Sequence, residues 1–303
     1  MRHFTCLDPV RVPLMSRKLL IPVVCGFGSI CAFGQQAEAN KDRAPLYDIT
    51  VISRTTKAIN YGHNSLPTKI DFAGTPLLPF AKGDATVQNK RGTTTIEAHF
   101  SGLESPQRFG PEFLTYVLWA ISPDGRSQNL GELFLGTREK GKMTASSNLQ
   151  AFALIVTAEP HFSVSQPSDA VVAENVVRPD TIGKVEEVNA TYELLPRKSF
   201  VHDKDAAKAP NGAMVSREEY DTLSAIYQAQ NAVQIAESQG AREHANDRLT
   251  RAQDLLREAQ RMSKSQRKQA IATAREAAQV AEDARRIAEK RAGKEIHPQI
   301  SSN

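Results

Sequence analysis

The C-terminal third of the chain contains a long segment that strongly favours helices. Between Ser216 and Arg291 there is no proline, and the only glycine is Gly240. Alanine dominates the segment, together with Arg, Glu and Gln, which all favour helix formation. Ser216 followed three residues later by Glu219 is a capping box, which marks the start of a helix. The sequence therefore predicts an all-α region over residues 216–293.

Apolar residues in this region recur at alternating spacings of three and four, as in a coiled-coil seam. The first stripe contains Ala245, Leu249, Ala252, Leu256 and Ala259. The second stripe contains Ala270, Ala274, Ala277, Ala281, Ala284 and Ala288. Gly240 predicts the end of one helix, and residues 263–265 predict a break before the next. The pattern indicates a helical hairpin, a three-helix bundle or a coiled coil, with partner helices from the same chain or from another.

Residues 46–196 are typical of short β-strands. Residues 84–88 and 93–100 are joined by Asn-Lys-Arg-Gly at 89–92, which predicts a hairpin. Residues 113–121 lead into Pro-Asp-Gly at 123–125, a strong turn signal. Further strand-like runs lie at 47–52, 130–135, 150–157, 171–177 and 185–194. Their number and spacing predict an all-β, Ig-like sandwich.

The fold class predicted for the whole chain is α+β, with the sandwich and the helices as two segregated domains. Residues 197–215 are rich in charged and small residues and predict a flexible linker between them. Residues 294–303, which follow the helices, predict a disordered tail.

The N-terminus has the layout of a secretory signal peptide over residues 1–34. A short apolar run at 19–33 follows Arg17 and Lys18, and small residues allow cleavage after Gly34 or Ala39. The run is shorter than the roughly 20 apolar residues of a membrane-spanning helix. Met15 begins a more compact leader than Met1, so either residue can be the start. Export to the periplasm of a Gram-negative bacterium, free or associated with the outer membrane, is the expected localisation.

Cysteines occur only in the predicted leader, as Cys6, Cys25 and Cys31. Neither Cys25 nor Cys31 follows the Leu-small-small residues that favour lipidation. The sequence does not decide whether the leader is cleaved or lipidated. The mature chain would have no disulfide and no thiolate metal site. Removal of the leader lowers the net charge from +4 to +1, which gives no reason to expect a nucleic-acid partner.

The predicted mature chain shows no pattern of catalytic, cofactor-binding or metal-binding residues. Its six histidines have no zinc-type spacing, and phosphate-binding loops and nucleophile elbows are absent from the sequence. Asp169 and Glu174 are candidate paired carboxylates, although solvated acids beside a turn are the commoner arrangement. We therefore expect no enzyme activity, no cofactor and no metal.

Three sets of residues have both a structural and a binding interpretation. Trp119, the only tryptophan, is expected to anchor the core of a central strand rather than to stack on a ligand. An exposed aromatic cluster near Tyr116, Phe134 or Phe162 would indicate recognition of a glycan or a peptide. The basic cluster of Arg261, Lys264, Arg267 and Lys268 is expected to be solubilising, with weak contact to peptidoglycan or to a membrane surface as the alternative.

Several motifs in the strand region resemble a known module. Thr-Tyr-Val-Leu-Trp-Ala at 115–120, Pro-Asp-Gly at 123–125 and Asn-Leu-Gly-Glu at 129–132 are similar to the N-terminal β-sandwich of acidobacterial-type OmpA-associated envelope proteins. Residues 154–160 and 166–169 continue the resemblance, which covers about 46–196. A looser version of the layout resembles the extracytoplasmic domain of anti-sigma-K factors. The resemblance implies a non-catalytic envelope module.

The helical region resembles a family of alanine-rich envelope helices of unknown function, on residues 232–239, 249–252 and 274–288. In such proteins an OmpA-like domain often follows, whereas only residues 294–303 follow the helices here, so tight peptidoglycan binding of that type is not implied. The sequence as a whole predicts a non-enzymatic envelope protein with a structural or adaptor role, in which the helices form a spacer or an oligomerisation segment. Its expected partners are another envelope protein or a second copy bound through the helices. The alternative is a periplasmic module that binds a glycan or a peptide through the sandwich.

Overall fold

The structure, a computed structural model, describes residues 56–62, 66–90, 92–135, 139–181, 184–188 and 216–296, with backbone only for 184–188 and 294–296. The predicted leader, the strand-like run at 47–52, the linker and residues 297–303 lie outside the described residues. The ten described strands are β1 Thr56–Asn60, β2 Thr68–Gly74, β3 Lys82–Lys90, β4 Thr93–Ser101, β5 Thr115–Ile121, β6 Ser127–Leu133, β7 Gly141–Ser147, β8 Ala151–Glu159, β9 Val171–Val176 and β10 Lys184–Val188. The described helices are α1 Arg217–Ser238, α2 Ala241–His244, α3 Asn246–Met262 and α4 Arg267–Ile296.

The strands form one continuous antiparallel sheet that nearly closes on itself. Each strand pairs with the next in the order β6–β5–β8–β9–β2–β3–β4–β7. A bridge between Leu135 and Gly141 joins the end of β6 to the start of β7. β1 and β10 branch from the start of β8, where Ile59 pairs with Phe152. A β-rich region followed by helices is thus confirmed, whereas the Ig-like sandwich of two separate sheets is not.

Local turn signals correctly located two hairpins. β3 and β4 pair up to Lys90 and Thr93, so the chain reverses within the predicted joining segment 89–92. β5 and β6 pair up to Ile121 and Ser127, and Gly125 between them has a φ of 83°. Glycine adopts this left-handed conformation without the steric penalty of a Cβ atom. Three strands that the sequence did not predict, β1, β2 and β7, complete the described sheet.

The two faces of the central strands are buried against different neighbours. Tyr116 and Leu118 of β5 belong to the apolar core enclosed by the curved sheet. Val117 and Trp119, which point to the opposite side because strand side chains alternate, belong to a second cluster. Ile235 of α1 lies in that second cluster. Helices therefore cover the outer face of β5, and every residue of this strand is buried.

The helix boundaries follow the capping and breaking residues of the sequence. The Ser216 hydroxyl accepts a hydrogen bond from the Glu219 amide at 3.2 Å, so the predicted cap is confirmed. Gly240 has a φ of 81° and lies between α1 and the short α2. Residues 263–266 separate α3 from α4, as the predicted break required. In the part of the chain that the structure describes, no helix combines the length and apolar character that crossing a bilayer needs.

The alanine stripes are buried within the helical region of the same chain. All six alanines of the second stripe are 0% exposed, and α4 packs along both α1 and α3. In the first stripe Leu256 is half-buried and the other four residues are buried. Small side chains let the helices approach closely, so the bundle encloses its own seam. The described residues of the bundle and of the sheet belong to one compact unit.

Candidate functional site at the interface of strands and helices

The apolar part of the interface is centred on Trp119. Its side chain is 0% exposed and belongs to the cluster that includes Ile235 of α1. The indole Nε1 donates a hydrogen bond of 2.7 Å to the hydroxyl of Thr157 on β8. The ring therefore has both its apolar surface and its polar atom occupied within the chain, as expected of a core anchor.

A buried ion pair on α4 joins this helix to the connection between β8 and β9. Arg285 and Glu282 lie one turn apart, and their side chains are only 2% and 5% exposed. Arg285 donates from Nε and Nη2 to the two carboxylate oxygens of Glu282, at 2.9 and 2.8 Å. Ser165 completes the cluster: its amide and hydroxyl donate to Glu282 at 3.0 and 2.6 Å, and its hydroxyl accepts from Arg285 at 2.8 Å.

The charge of this pair is stabilised by its own geometry. Burial alone would raise the pKa of Glu282, but the adjacent Arg285 and the bond from Ser165 hold it below its usual value. Bidentate contact between guanidinium and carboxylate is the strongest common form of ion pair in proteins. Because Ser165 belongs to the strand region, the pair is a polar link between strands and helices.

His161 lies next to this ion pair and is buried in the neutral form. Its Nε2 is 3.8 Å from a Glu282 oxygen, and its Nδ1 is 3.0 Å from the hydroxyl of Ser163. Burial lowers the pKa of His161 to about 4; Glu282 acts to raise it, by less, and Arg285 acts in the same direction as burial. His161 is thus uncharged at neutral pH.

Glu159 is the second buried titratable residue beside the ion pair. One of its oxygens accepts a 2.8 Å bond from the Ser168 amide and a bond from the Thr157 hydroxyl. Burial raises the pKa of Glu159 to about 8, against the lowering effect of these bonds. The carboxyl group is therefore protonated at neutral pH, and its other oxygen has no partner.

A second polar cluster surrounds Glu132 of β6. One carboxylate oxygen accepts bonds of 2.8 Å from Thr115 of β5 and from Gln228 of α1, and the other accepts from Arg275 of α4. The Arg275 guanidinium lies 3.7 Å from the ring centre of Phe162, a distance typical of cation–π stacking. Residues from two strands and two helices thus meet at a single carboxylate.

Two amides on α1 bond to the strand region as well. The side-chain oxygen of Gln228 accepts from the Phe162 amide at 2.9 Å. Asn231 donates to the backbone oxygens of Glu112 and Pro160, at 3.0 and 3.3 Å. The sequence interpretation missed these contacts. Their only signal was the presence of Gln228 and Asn231 on the same side of α1 as its buried alanines.

Beside the Glu132 cluster the interface opens into a cleft of about 320 Å³. Phe134 forms part of its wall on the strand side, and Tyr220 forms part of its wall on α1. Both side chains are largely solvent-exposed, at 63% and 61%. Glu132 and Arg275 also line the cleft. Of the three aromatic residues considered in the sequence, only Phe134 is exposed, whereas Tyr116 and Phe162 are buried.

A second depression, of about 700 Å³, lies on the outer face of β2, β3 and β4. Its charges have both signs: four basic residues, Lys69, Lys82, Lys140 and Arg178, accompany Asp71 and Asp84. Arg178 pairs with Asp71 at 3.0 Å, and His99 lies 3.5 Å from Asp84. This alternation is typical of a solvated sheet face and favours no one class of ligand.

The remaining candidates from the sequence lie apart from the cleft lining. Asp169 precedes β9, and Glu174 lies within it, opposite Ala73 of β2. The basic cluster lies at the turn between α3 and α4, where Arg267 is 3.8 and 3.7 Å from the carboxylates of Glu218 and Glu219, respectively. Among the described residues there is no group of three or more His, Cys, Asp or Glu side chains suited to a metal ion.

No protein-family model matches this chain, and no curated protein is similar enough in sequence to count as a match.

Proposed function

We propose that this chain is a non-enzymatic protein of the bacterial cell envelope that acts as a structural adaptor, exported by its N-terminal leader to the periplasm or to the outer membrane. The observation that carries the proposal is the attachment of the helices to the sheet through Trp119, Glu132 and the Glu282–Arg285 pair. Such an attachment makes the helices a rigid support and leaves other surfaces of the sheet for a protein partner.

The contacts of the buried titratable groups support a structural role. Arg285 and Glu282 bond each other and Ser165, and Glu132 bonds three side chains from three elements. His161 and Glu159 are fully buried, whereas a catalytic group has to reach a substrate. We therefore assign these groups the role of holding strands and helices together.

The alanine stripes favour a spacer over an oligomerisation segment. Their residues are buried against helices of the same chain, so the seam that a second copy would need is already occupied. We therefore assign the protein partner to the strand region. Weak contact of the exposed basic residues Lys264 and Lys268 with peptidoglycan or a membrane surface is compatible with this arrangement.

Export and assembly state test the proposal together. The full chain is produced in a Gram-negative host, the cells are fractionated, and the mass of the product is measured. We expect a periplasmic or outer-membrane product that begins at Gln35 or Asn40 and is a monomer by light scattering. An uncleaved cytoplasmic product would contradict the envelope assignment. A stable oligomer that persists on dilution would contradict the spacer role.

A second candidate function is a module that binds a glycan or a peptide. The specific observation in its favour is Phe134, which is 63% exposed beside a cleft with a polar floor. Ligand sites commonly combine an apolar lining with a few polar groups that fix orientation. The two candidate functions are compatible, because this cleft lies within the strands and helices of the proposed adaptor.

A further inference from the structure

The cleft between β6 and the helices has aromatic side chains on two sides. Phe134 follows β6, and Tyr220 lies in the first turn of α1. Large apolar side chains that are more than a third exposed are few among the described residues: Leu66, Leu77, Phe80, Phe134, Val176 and Tyr220. The faces of aromatic rings carry partial negative charge and attract the weakly positive C–H groups of a flat, partly apolar ligand. Both sides of the cleft therefore offer a stacking surface.

Arg275 supplies hydrogen-bond donors to the polar lining of the cleft. Both carboxylate oxygens of Glu132 already accept bonds from Thr115, Gln228 and Arg275. The Arg275 guanidinium has five N–H groups, of which one bond to Glu132 uses only one, and its side chain is 32% exposed. The hydroxyl of Ser224 also lines the cleft. A ligand with several acceptor oxygens fits this set of donors.

The ionic groups of the cleft balance one another. Arg217 and Arg275 are its two basic residues, and Asp221 and Glu132 are its two acidic residues. Arg275 bonds Glu132, and Arg217 lies 4.0 Å from Asp221. Since a site for a strongly charged ligand presents unbalanced charge of the opposite sign, this balance favours an uncharged ligand.

From these observations we propose that the cleft binds a terminal ring of an uncharged oligosaccharide, stacked on Phe134 and Tyr220 and hydrogen-bonded to Arg275. This inference deepens the second candidate function and rests on it. A sugar ring has apolar C–H faces for the aromatic walls and acceptor oxygens at its edge for the donors. The cleft volume of about 320 Å³ suits one end of such a chain, since ligand sites range from roughly 300 to 1,000 Å³.

A peptide fits this cleft less well. Grooves that bind an amphipathic helix accept anchors from successive turns of that helix, which requires an elongated apolar surface. The cleft is small, at about 320 Å³, and charged side chains such as Arg217 and Arg275 interrupt its apolar lining.

Calorimetric titration of the full chain with the N-acetylglucosamine tetramer tests the inference. Its acetamido oxygens match the donors of the cleft, and the tetramer is uncharged. We expect saturable binding that weakens by about tenfold in Phe134→Ala and in Tyr220→Ala, as the loss of one stacking contact implies. The matched control is Phe80→Ala, which removes a phenylalanine that is 78% exposed but does not line the cleft. This control is expected to bind like the parent.

Three results would overturn the inference: no binding of the tetramer by the parent, equal weakening in Phe80→Ala and Phe134→Ala, or preference for the cationic glucosamine tetramer. Binding of an unstructured peptide pool that depends on Phe134, without binding of the saccharide, would retain the second candidate function but reject a sugar as its ligand. The adaptor proposal is judged separately, by export and assembly state, so its failure is distinguishable from failure of saccharide binding.

Discussion

Single residues at the interface between strands and helices determine how the stability of this protein depends on pH. Glu159 and His161 are both fully buried. Burial raises the pKa of Glu159 and lowers that of His161, and in both cases it favours the uncharged form. At a pH where the unfolded chain ionises such a group but the folded chain keeps it neutral, the folded state is less stable. This holds for an acid with a raised pKa and for a base with a lowered pKa. His161 has this effect as the pH falls from about 6.5 towards 4. Glu159 has it as the pH rises from about 4.5 to 8.

Glu159→Gln tests the effect of the buried carboxyl group. In the parent the folded pKa of about 8 exceeds the ordinary value of 4.5 for this group. The stability associated with the bound proton is therefore complete below about pH 4.5 and is lost as the pH rises to 8. The amide keeps an acceptor for Ser168 but does not ionise. We expect Glu159→Gln to unfold at a higher urea concentration than the parent at pH 8, and this difference to become smaller as the pH falls to 5.

The control for this measurement is Glu97→Gln. Glu97 is exposed on β4, and its hydrogen bond to Lys142 lowers its pKa. Its ionisation therefore does not change between pH 5 and pH 8, and the difference from the parent is expected to be constant. If Glu159→Gln also differed from its parent by a constant amount over this range, the assignment of a raised pKa to Glu159 would be wrong.

At the scale of elements, the bond from Arg275 to Glu132 and the buried Glu282–Arg285 pair, which contacts Ser165, tie α4 to the strand region. Replacement of one member leaves the other charge buried without its partner. We expect Arg285→Met to reduce the free energy of unfolding by about 3–5 kcal/mol, as measured by urea denaturation. Much of this loss should be recovered in the double variant Arg285→Met/Glu282→Leu, because no buried charge then remains.

An exposed ion pair between α3 and α4 gives the matched control. Arg251 of α3 lies 3.3 Å from Glu276 of α4, and both side chains are more than half exposed. Arg251→Met should change the free energy of unfolding by less than about 1 kcal/mol. Equal effects of the two arginine variants would contradict the claim that Arg285 joins α4 to the strands.

Local signals in the sequence predicted the elements well where the cause is local. A hydroxyl at Ser216, a glycine at position 240 and the turn at 123–125 each act on their own neighbours, and the structure has the expected features there. β7 was missed because its sequence, Gly-Lys-Met-Thr-Ala-Ser-Ser, has few apolar residues. Its formation depends on pairing with β4, from which it is distant in sequence.

The interface was missed for a similar reason. Glu282 and Arg285 directly follow the stripe alanines Ala281 and Ala284, and charged residues at such positions usually face solvent. Only the approach of the connection that carries Ser165 buries them. The candidate cleft is also formed by residues far apart in sequence, such as Phe134 and Tyr220. Phe134 was a candidate from the sequence, but its position opposite α1 could not be predicted.

For the whole molecule, the central claim is that sheet and helices form one structural unit. β5 and β8 are buried on both faces. Their inner side chains fill the curved sheet, and their outer side chains belong to the apolar cluster that includes Ile235 of α1. Separation of the bundle would expose the outer apolar cluster together with Glu282 and Arg285. The two regions should therefore lose their structure together.

Urea unfolding followed by two signals tests this claim most directly. Fluorescence of Trp119, the only tryptophan, reports on the strand side of the interface, and circular dichroism at helical wavelengths reports on the bundle. For one cooperative unit we predict that the two transitions coincide, and that Arg285→Met moves both to the same lower urea concentration. Two separate transitions, with only the helical signal sensitive to Arg285→Met, would show that sheet and helices are independent and would contradict the account.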